Sequence, residues 1–319
     1  MMRCLVTGAA GFIGSRLSMK LVADGNDVVG LDDLSAGVPE NLSSAPEVDL
    51  VEGDLRNEEL VGTVARGCDV IFHQGAIRSV PRSMEVPGDV TDVNVRGTLN
   101  VLLAARRWGG RVVFASSSSA YGDQSEFPLR ESLTPRPRSP YAASKLAGEA
   151  YCEAWTRAFG VPTVSLRYFN VYGPGQDSSS EYAVVVPKFI VSCLTGRNPI
   201  VHGDGEQARD FTFIDDAVDA NILAARAPRP AWGRAINVGG GAAPTSINRL
   251  LALVAELTST QTEAMYEPPR PGDVRITEAD LSLADELLGF RPRVGLPEGL
   301  RRTVEWFKGK IGEQAVRVR

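Results

Sequence analysis

Short apolar runs alternate with amphipathic segments through the first half of the chain. Arg3–Thr7, Asp27–Leu31, Val48–Glu52 and Val70–His73 are mostly apolar, end in turn formers and read as buried strands. Between them, Phe12–Asp24 and Asn57–Gly67 carry apolar residues at helical spacing. Further strands are predicted at Arg111–Ala115 and Thr163–Tyr168. Strand and helix in alternation predict an α/β fold with a doubly wound parallel sheet and right-handed crossovers.

The alternation breaks down after about Pro174. Helices are expected near Val186–Thr195, Asp215–Arg226 and Ser246–Leu257, with a glycine turn at Gly203–Gly205 and a proline-rich stretch at Pro268–Pro271. This divides the chain into a sheet domain over residues 1–175 and a smaller lobe over 176–319, with the chain free to cross between them. The lobe would sit against the carboxyl ends of the strands, where open α/β sheets bind their ligands.

Composition narrows the function. With 319 residues, 43% of them apolar, the chain can bury a large core. A net charge of −5 argues against a nucleic-acid scaffold, which needs a basic field to neutralise phosphates. Cys4, Cys68, Cys152 and Cys193 are widely spaced, and His73 and His202 are the only histidines, so buried free thiols and no metal site are expected. No apolar run reaches membrane-spanning length and no leader pattern opens the chain, which points to the cytoplasm.

The first strand runs into Thr7-Gly8-Ala9-Ala10-Gly11-Phe12-Ile13-Gly14. Gly8 permits a tight turn, Gly11 lets the backbone approach a pyrophosphate, and Gly14 lets the helix pack on the strand. The helix N-terminus then offers free N–H groups to that pyrophosphate. The second strand ends at Asp32, whose carboxylate can bond both hydroxyls of an adenosine ribose and repels a 2′-phosphate, favouring NAD over NADP. Asp54, ending the third strand beside Leu55, can meet the adenine amino group. A Rossmann-type dinucleotide site is the expectation.

Tyr141 and Lys145 stand four residues apart at the start of an amphipathic segment, on one helical face. A nearby ammonium stabilises a phenolate and lowers the tyrosine pKa. The alternative is a pair of solvated side chains. Ser116–Ser119 follow a strand, where hydroxyls can hold a substrate oxygen.

Taken in order, TGAAGFIG (7–14), HQGA (73–76), NVRGT (94–98), SSSSAYG (116–122), YAASK (141–145), RYFNVYGPG (167–175), GDGEQARDFTFIDD (203–216) and RPGDVRITEAD (270–280) span nearly the whole chain. They resemble the extended short-chain dehydrogenase/reductases, specifically the NAD-dependent nucleotide-sugar epimerases and dehydratases. The resemblance implies Tyr141 as the base for the sugar 4-hydroxyl, Lys145 on the nicotinamide ribose, and Ser117, four residues before Tyr121, as the catalytic serine beside Ser118 and Ser119. It also implies Phe12, Ile13, Leu55, Gln74 and Tyr168 on the cofactor side, and Asn170, Val185, Arg209, Arg270 and Asp273 on the nucleotide side. Guanidinium groups at 209 and 270 suit a diphosphate.

Dehydratases and decarboxylases of that family carry an acid directly after the catalytic Ser/Thr, whereas Ser117 is followed by two serines. Reversible oxidation at C4 remains, hence 4-epimerisation. The small Thr277, at the gate position near the sugar, leaves room for an N-acetyl group. Arg78, where relatives acting on UDP-N-acetylglucosamine have glycine, can pair with a 6-carboxylate or turn to phosphate or solvent. His202 would flank the uracil, or be an ordinary loop histidine. The order of substrates is UDP-glucuronate or UDP-glucose, then UDP-N-acetylglucosamine, with dTDP not excluded by the residues. A ketoreductase with net redox and a silent dinucleotide sensor are the rivals. Relatives pair through helices corresponding to Val93–Trp108 and Tyr141–Phe159, where Leu99, Leu102, Leu103 and Trp155 would serve either a homodimer interface or the core.

Overall fold

The computed structural model describes residues 1–178, 184–269 and 274–317, with side chains described as far as residue 312. Strands β1 (Arg3–Thr7), β2 (Asp27–Asp32), β3 (Asp49–Glu52), β4 (Val70–His73), β5 (Arg111–Ser117), β6 (Thr163–Tyr168) and β7 (Arg234–Val238) form one sheet in the order β7-β6-β5-β4-β1-β2-β3. Every neighbouring pair in it is parallel. The six strands read from the sequence are present, but β5 runs two residues further than expected and takes in Ser116 and Ser117.

Alternation along each strand feeds two cores. Val6, Phe72 and Val113 face a cluster with Leu17 and Leu21 of helix α1 (Phe12–Ala23). Leu5, Ile71 and Val112 face the other side, which holds Val61 of helix α2 (Glu58–Val64) and Val101 and Leu102 of helix α3 (Gly97–Trp108). Successive strand residues point to opposite faces, so a sheet covered on both sides reads as an unbroken apolar run. Helix α4 (Pro140–Phe159) completes the second layer, with Cys152 in that cluster. Ser139 starts it, its hydroxyl accepting from the Ala142 N–H at 3.1 Å, Pro140 follows as first residue, and Gly160 ends it at φ +70°. Tyr141 therefore lies in the first turn and Lys145 one turn later.

After residue 175 come helices α5 (Val185–Leu194), α6 (Ile214–Ala225) and α7 (Ile247–Thr258) and several two- or three-residue strands. Strand β7 was not expected from the sequence. It lies after residue 175 yet pairs with β6, and α6 joins the same core as α1, so the chain crosses back into the sheet domain. Among the described residues no helix is long and apolar enough to cross a membrane.

Candidate active site

Strands β1 and β4 are neighbours whose onward connections leave in opposite directions, β1 to β2 and β4 to β5. The crevice opened at their carboxyl ends is the place where such sheets bind ligands. A cleft of about 820 Å³ lies there, reaching from the β1–α1 turn to the small lobe.

At one end of the cleft the backbone sets the shape. Gly8 has φ +68°, and its N–H donates to the Leu31 carbonyl at 2.7 Å. A Cβ on Gly8 would stand 2.8 Å from the Gly75 backbone, and one on Gly14 only 1.9 Å from the Gly8 carbonyl oxygen. No side chain caps the helix that follows Gly11, so the N–H groups of its first turn are open to a ligand beside Phe12 and Ile13. Asp32 is 7% exposed, and its carboxylate accepts from Ala10 N and Leu34 N, both at 2.9 Å. Burial pushes its pKa up, and the two peptides pull it back. Asp54 is gripped by the Arg56 guanidinium, which holds its carboxyl below the usual range. Leu55 packs beside Gly75 and Gly97. Tyr168 donates to Gln74 Oε1 at 3.3 Å and accepts from Asn221 Nδ2 at 2.7 Å, while Gln74 Nε2 donates to Asn221 Oδ1 at 2.9 Å.

In the middle of the cleft, Ser117, Tyr141 and Lys145 converge. Lys145 is 4% exposed and donates from Nζ to the Ala115 carbonyl at 2.8 Å, 5.9 Å from the centre of the Tyr141 ring. The alternative of a solvated surface pair is thereby overturned. Burial brings the Lys145 pKa down to about 8, opposed by the Glu149 carboxylate. Burial pushes the Tyr141 pKa up, opposed by the neighbouring Ser117 hydroxyl and the charge of Arg78. Ser117 Oγ also accepts from the Ser119 hydroxyl at 2.9 Å.

The far end gathers Arg78, Ser118, Ser119, Asn170, Arg209 and Thr277 from separate segments. Asn170, at φ +33°, donates from Nδ2 to the Asp210 carbonyl at 2.8 Å and to Thr277 Oγ1 at 3.2 Å. Arg209 Nη1 donates to the Ala208 and Arg275 carbonyls at 3.0 and 3.3 Å. Asp210, just behind, takes the Gly240 and Ala279 N–H groups, and burial pushes its pKa up to about 6.

Two of the expected nucleotide-side residues lie outside the described lining of the cleft. Val185 is not among the described lining residues; it begins α5 and packs half-buried on the core, and exposed Val184 lines the cleft instead. His202 is also absent from the described lining, because it ends a short strand paired with Met265–Glu267 and has Nδ1 3.6 Å from Glu267 Oε2. Arg270 and Asp273 lie outside the described residues. Sequence reading missed Asn221 and Asp210. Asn221 had left a signal, a lone polar residue within the apolar stripe Ala217, Ala220 and Ala224 of α6.

Residues 4–239 match the NAD dependent epimerase/dehydratase family. The chain belongs to that family. It is similar to the UDP-glucose 4-epimerase of Mycolicibacterium smegmatis, 44% identical over 97% of this chain and 99% of that one. The UDP-glucuronate 4-epimerase of Thermodesulfobacterium geofontis is 35% identical over 96% of both chains. The structure of the UDP-glucose 4-epimerase of Thermotoga maritima with UDP-glucose overlays with a TM-score of 0.93 at 37% identity, covering 97% of this chain and 100% of that one.

The family cofactor is NAD, and the glycine end of the cleft fits it. A backbone cradle that any Cβ at Gly8 or Gly14 would fill, an uncapped helix start and a buried carboxylate at the end of β2 suit pyrophosphate and ribose respectively.

Proposed function

We propose that this epimerase/dehydratase-family enzyme is a 4-epimerase of a UDP-hexose. Its cofactor half comprises residues 1–175 together with β7 and α6, and the remainder forms the sugar-nucleotide lobe. The observation that carries the reading is the convergence of Ser117, Tyr141 and Lys145 with no carboxylate after Ser117. The described carboxylates lining the cleft are Asp32, Asp33 and Asp54 at the ends of β2 and β3, and Asp177. Elimination of water or loss of carbon dioxide needs an acid beside the sugar, and Ser118 cannot supply one.

In this mechanism Ser117 holds the sugar 4-hydroxyl and Tyr141 takes its proton, helped by the positive charge of Arg78. When bound, NAD supplies a reversible acceptor for the C4 hydride. Lys145 would donate from Nζ to the hydroxyls of the cofactor ribose, while Gln74, Tyr168, Asp32, Asp54 and the glycine turn would hold its remainder. Asn170 and Arg209 anchor the nucleotide while the 4-keto sugar turns over. The turned sugar would take the hydride back on its opposite face, which inverts C4, and Tyr141 returns the proton to the C4 oxygen.

UDP-glucose and UDP-glucuronate are the first choices. The relatives support both, and Arg78 offers a cation for a 6-carboxylate. Buried Thr277 is small enough to admit an N-acetyl group as a third choice. A homodimer through α3 and α4 is part of the proposal. Leu102 faces the core, but Leu99, Leu103, Tyr151 and Trp155 stay half-exposed, and Phe159 is stacked edge-on to Trp155.

The test is a turnover panel on the purified protein with UDP-glucose, UDP-glucuronate, UDP-N-acetylglucosamine and dTDP-glucose, read by proton NMR. A C4-inverted product from a UDP-hexose without added reductant is expected. Oxidation or reduction in step with added nicotinamide would replace the reading with a ketoreductase or dehydrogenase.

A further inference from the structure

Directly behind the Tyr141–Lys145 pair lies a buried ion pair that the chemistry above does not use. Glu149 stands one turn after Lys145 on α4, and Arg167 lies on β6; their side chains are 8% and 4% exposed. Arg167 forks onto the carboxylate, Nε to Oε1 at 2.8 Å and Nη2 to Oε2 at 2.7 Å, and rests over the Tyr121 ring. Desolvating two charges offsets most of their attraction, so such a pair contributes little to stability by itself. Its surroundings give it a different task.

Two consecutive residues at the end of β5 are tied to α4. The Ala115 carbonyl accepts from Lys145, and the Ser116 hydroxyl donates to Glu149. Arg167 is the register partner of Ser116 across the β5–β6 ladder, so the neighbouring strand fixes Glu149 at the same level. The groups facing Lys145 can be named element by element. On α4 they are Tyr141 and Glu149. From β4 comes His73, whose pKa burial lowers to about 3, leaving it neutral. Phe114 of β5 presents its ring 5.1 Å away. Arg78 acts on Tyr141, and Arg167 is committed to Glu149. Among the described residues, Glu149 is the one carboxylate acting on Lys145.

We propose that Glu149, braced by Arg167 and Ser116, is a positioning residue that holds α4 in register with the end of β5 and so sets the place and surroundings of the Lys145 side chain. This rests on the epimerase reading for its catalytic meaning, but the juxtaposition can be tested without turnover. The chain has five lysines, Lys20, Lys145, Lys188, Lys308 and Lys310, so carbon-13 labelling of lysine gives a spectrum in which Lys145→Arg assigns the signal of interest.

The experiment titrates Lys145 by NMR in the wild type, Glu149→Gln, and Glu149→Gln combined with Arg167→Met. The double variant removes both buried charges and so keeps a folded protein available where the single one leaves Arg167 without its anion. Ser116→Ala keeps the carboxylate and serves as the control. The Lys145 midpoint is expected to fall by about one pH unit in Glu149→Gln, to fall by less in the double variant, which loses a nearby cation along with the anion, and to stay in place in Ser116→Ala. The basic limb of the turnover profile should move down with it. An unchanged Lys145 midpoint in a folded Glu149 variant overturns the proposal, whatever happens to the rate. Absence of epimerisation with the midpoint shifted would instead count against the functional reading alone.

Discussion

The two ends of the cleft are built by opposite means. The dinucleotide end is made of main chain: a positive-φ turn at Gly8, a helix start without a side-chain cap, and two peptides held by Asp32. The sugar end is made of side chains gathered from residues 78, 117–119, 170, 184, 209 and 277. Main-chain sites demand particular residues at fixed local spacing, because a Cβ in the wrong place collides with backbone. Side-chain sites demand only that distant segments arrive together. The first kind fixes the cofactor across a family, and the second leaves the substrate free to vary.

The sharpest way to break this comparison is at the dinucleotide end. Gly14→Ala places a methyl 1.9 Å from the Gly8 carbonyl oxygen, a backbone atom that cannot move aside alone. The purified variant is expected to lose its bound NAD and all turnover, as read by absorbance of the released nucleotide. Retention of cofactor would mean that the turn is not a tight cradle.

A step smaller is Tyr141→Phe. It should keep NAD and lower kcat by about 10²–10⁴-fold, the usual weight of one acid–base group. Loss of less than tenfold, on the order of 1.4 kcal/mol, would remove Tyr141 from the reaction.

The pH dependence separates the middle of the cleft from both ends. Burial holds Lys145 at about 8, below its unfolded value of 10.5. Between those values the unfolded chain binds a proton that the folded one has released. The Lys145 contribution to stability therefore rises with pH through that window while its ammonium, and the turnover relying on it, is lost. Subtracting the stability profile of Lys145→Met from that of the wild type isolates the effect. A difference that falls with pH contradicts the burial assigned to this side chain.

At the sugar end the effects should be smaller and selective. Arg78→Gln is expected to reduce the preference for UDP-glucuronate over UDP-glucose by about tenfold in kcat/KM, close to the 1.4 kcal/mol of one charge-assisted contact. An equal loss on both sugars would assign Arg78 to Tyr141 alone.

The same division explains what was legible in the sequence. Gly8, Gly11, Gly14 and Asp32 were readable because each answers a local steric or electrostatic demand. Six strands were readable as short apolar runs: five are buried on both faces, and the edge strand β3 is half-buried at Leu50 and Val51. Strand β7 escaped because its five residues include Asn237, a buried polar residue that accepts the Tyr121 hydroxyl at 2.7 Å. That partner lies far away in sequence, so no local pattern announces it. The direction of Val185 was not readable, since α5 begins at that residue and turns it towards the core. Nor was that of His202, because a three-residue strand gives no periodicity from which to read one. Asn170 and Ser79 adopt positive φ without being glycine, a conformation set by tertiary contacts.

The central claim is a closed redox cycle at C4, and isotope tracing reaches it most directly. The purified holoprotein would be given UDP-glucose carrying deuterium at C4, with no added nicotinamide, and the product followed by proton NMR alongside nicotinamide absorbance. The account predicts inversion at C4 with the deuterium retained and no net change in nicotinamide. Consumption of the sugar matched by accumulating reduced nicotinamide, or a product that has lost the C4 deuterium to water, would contradict it.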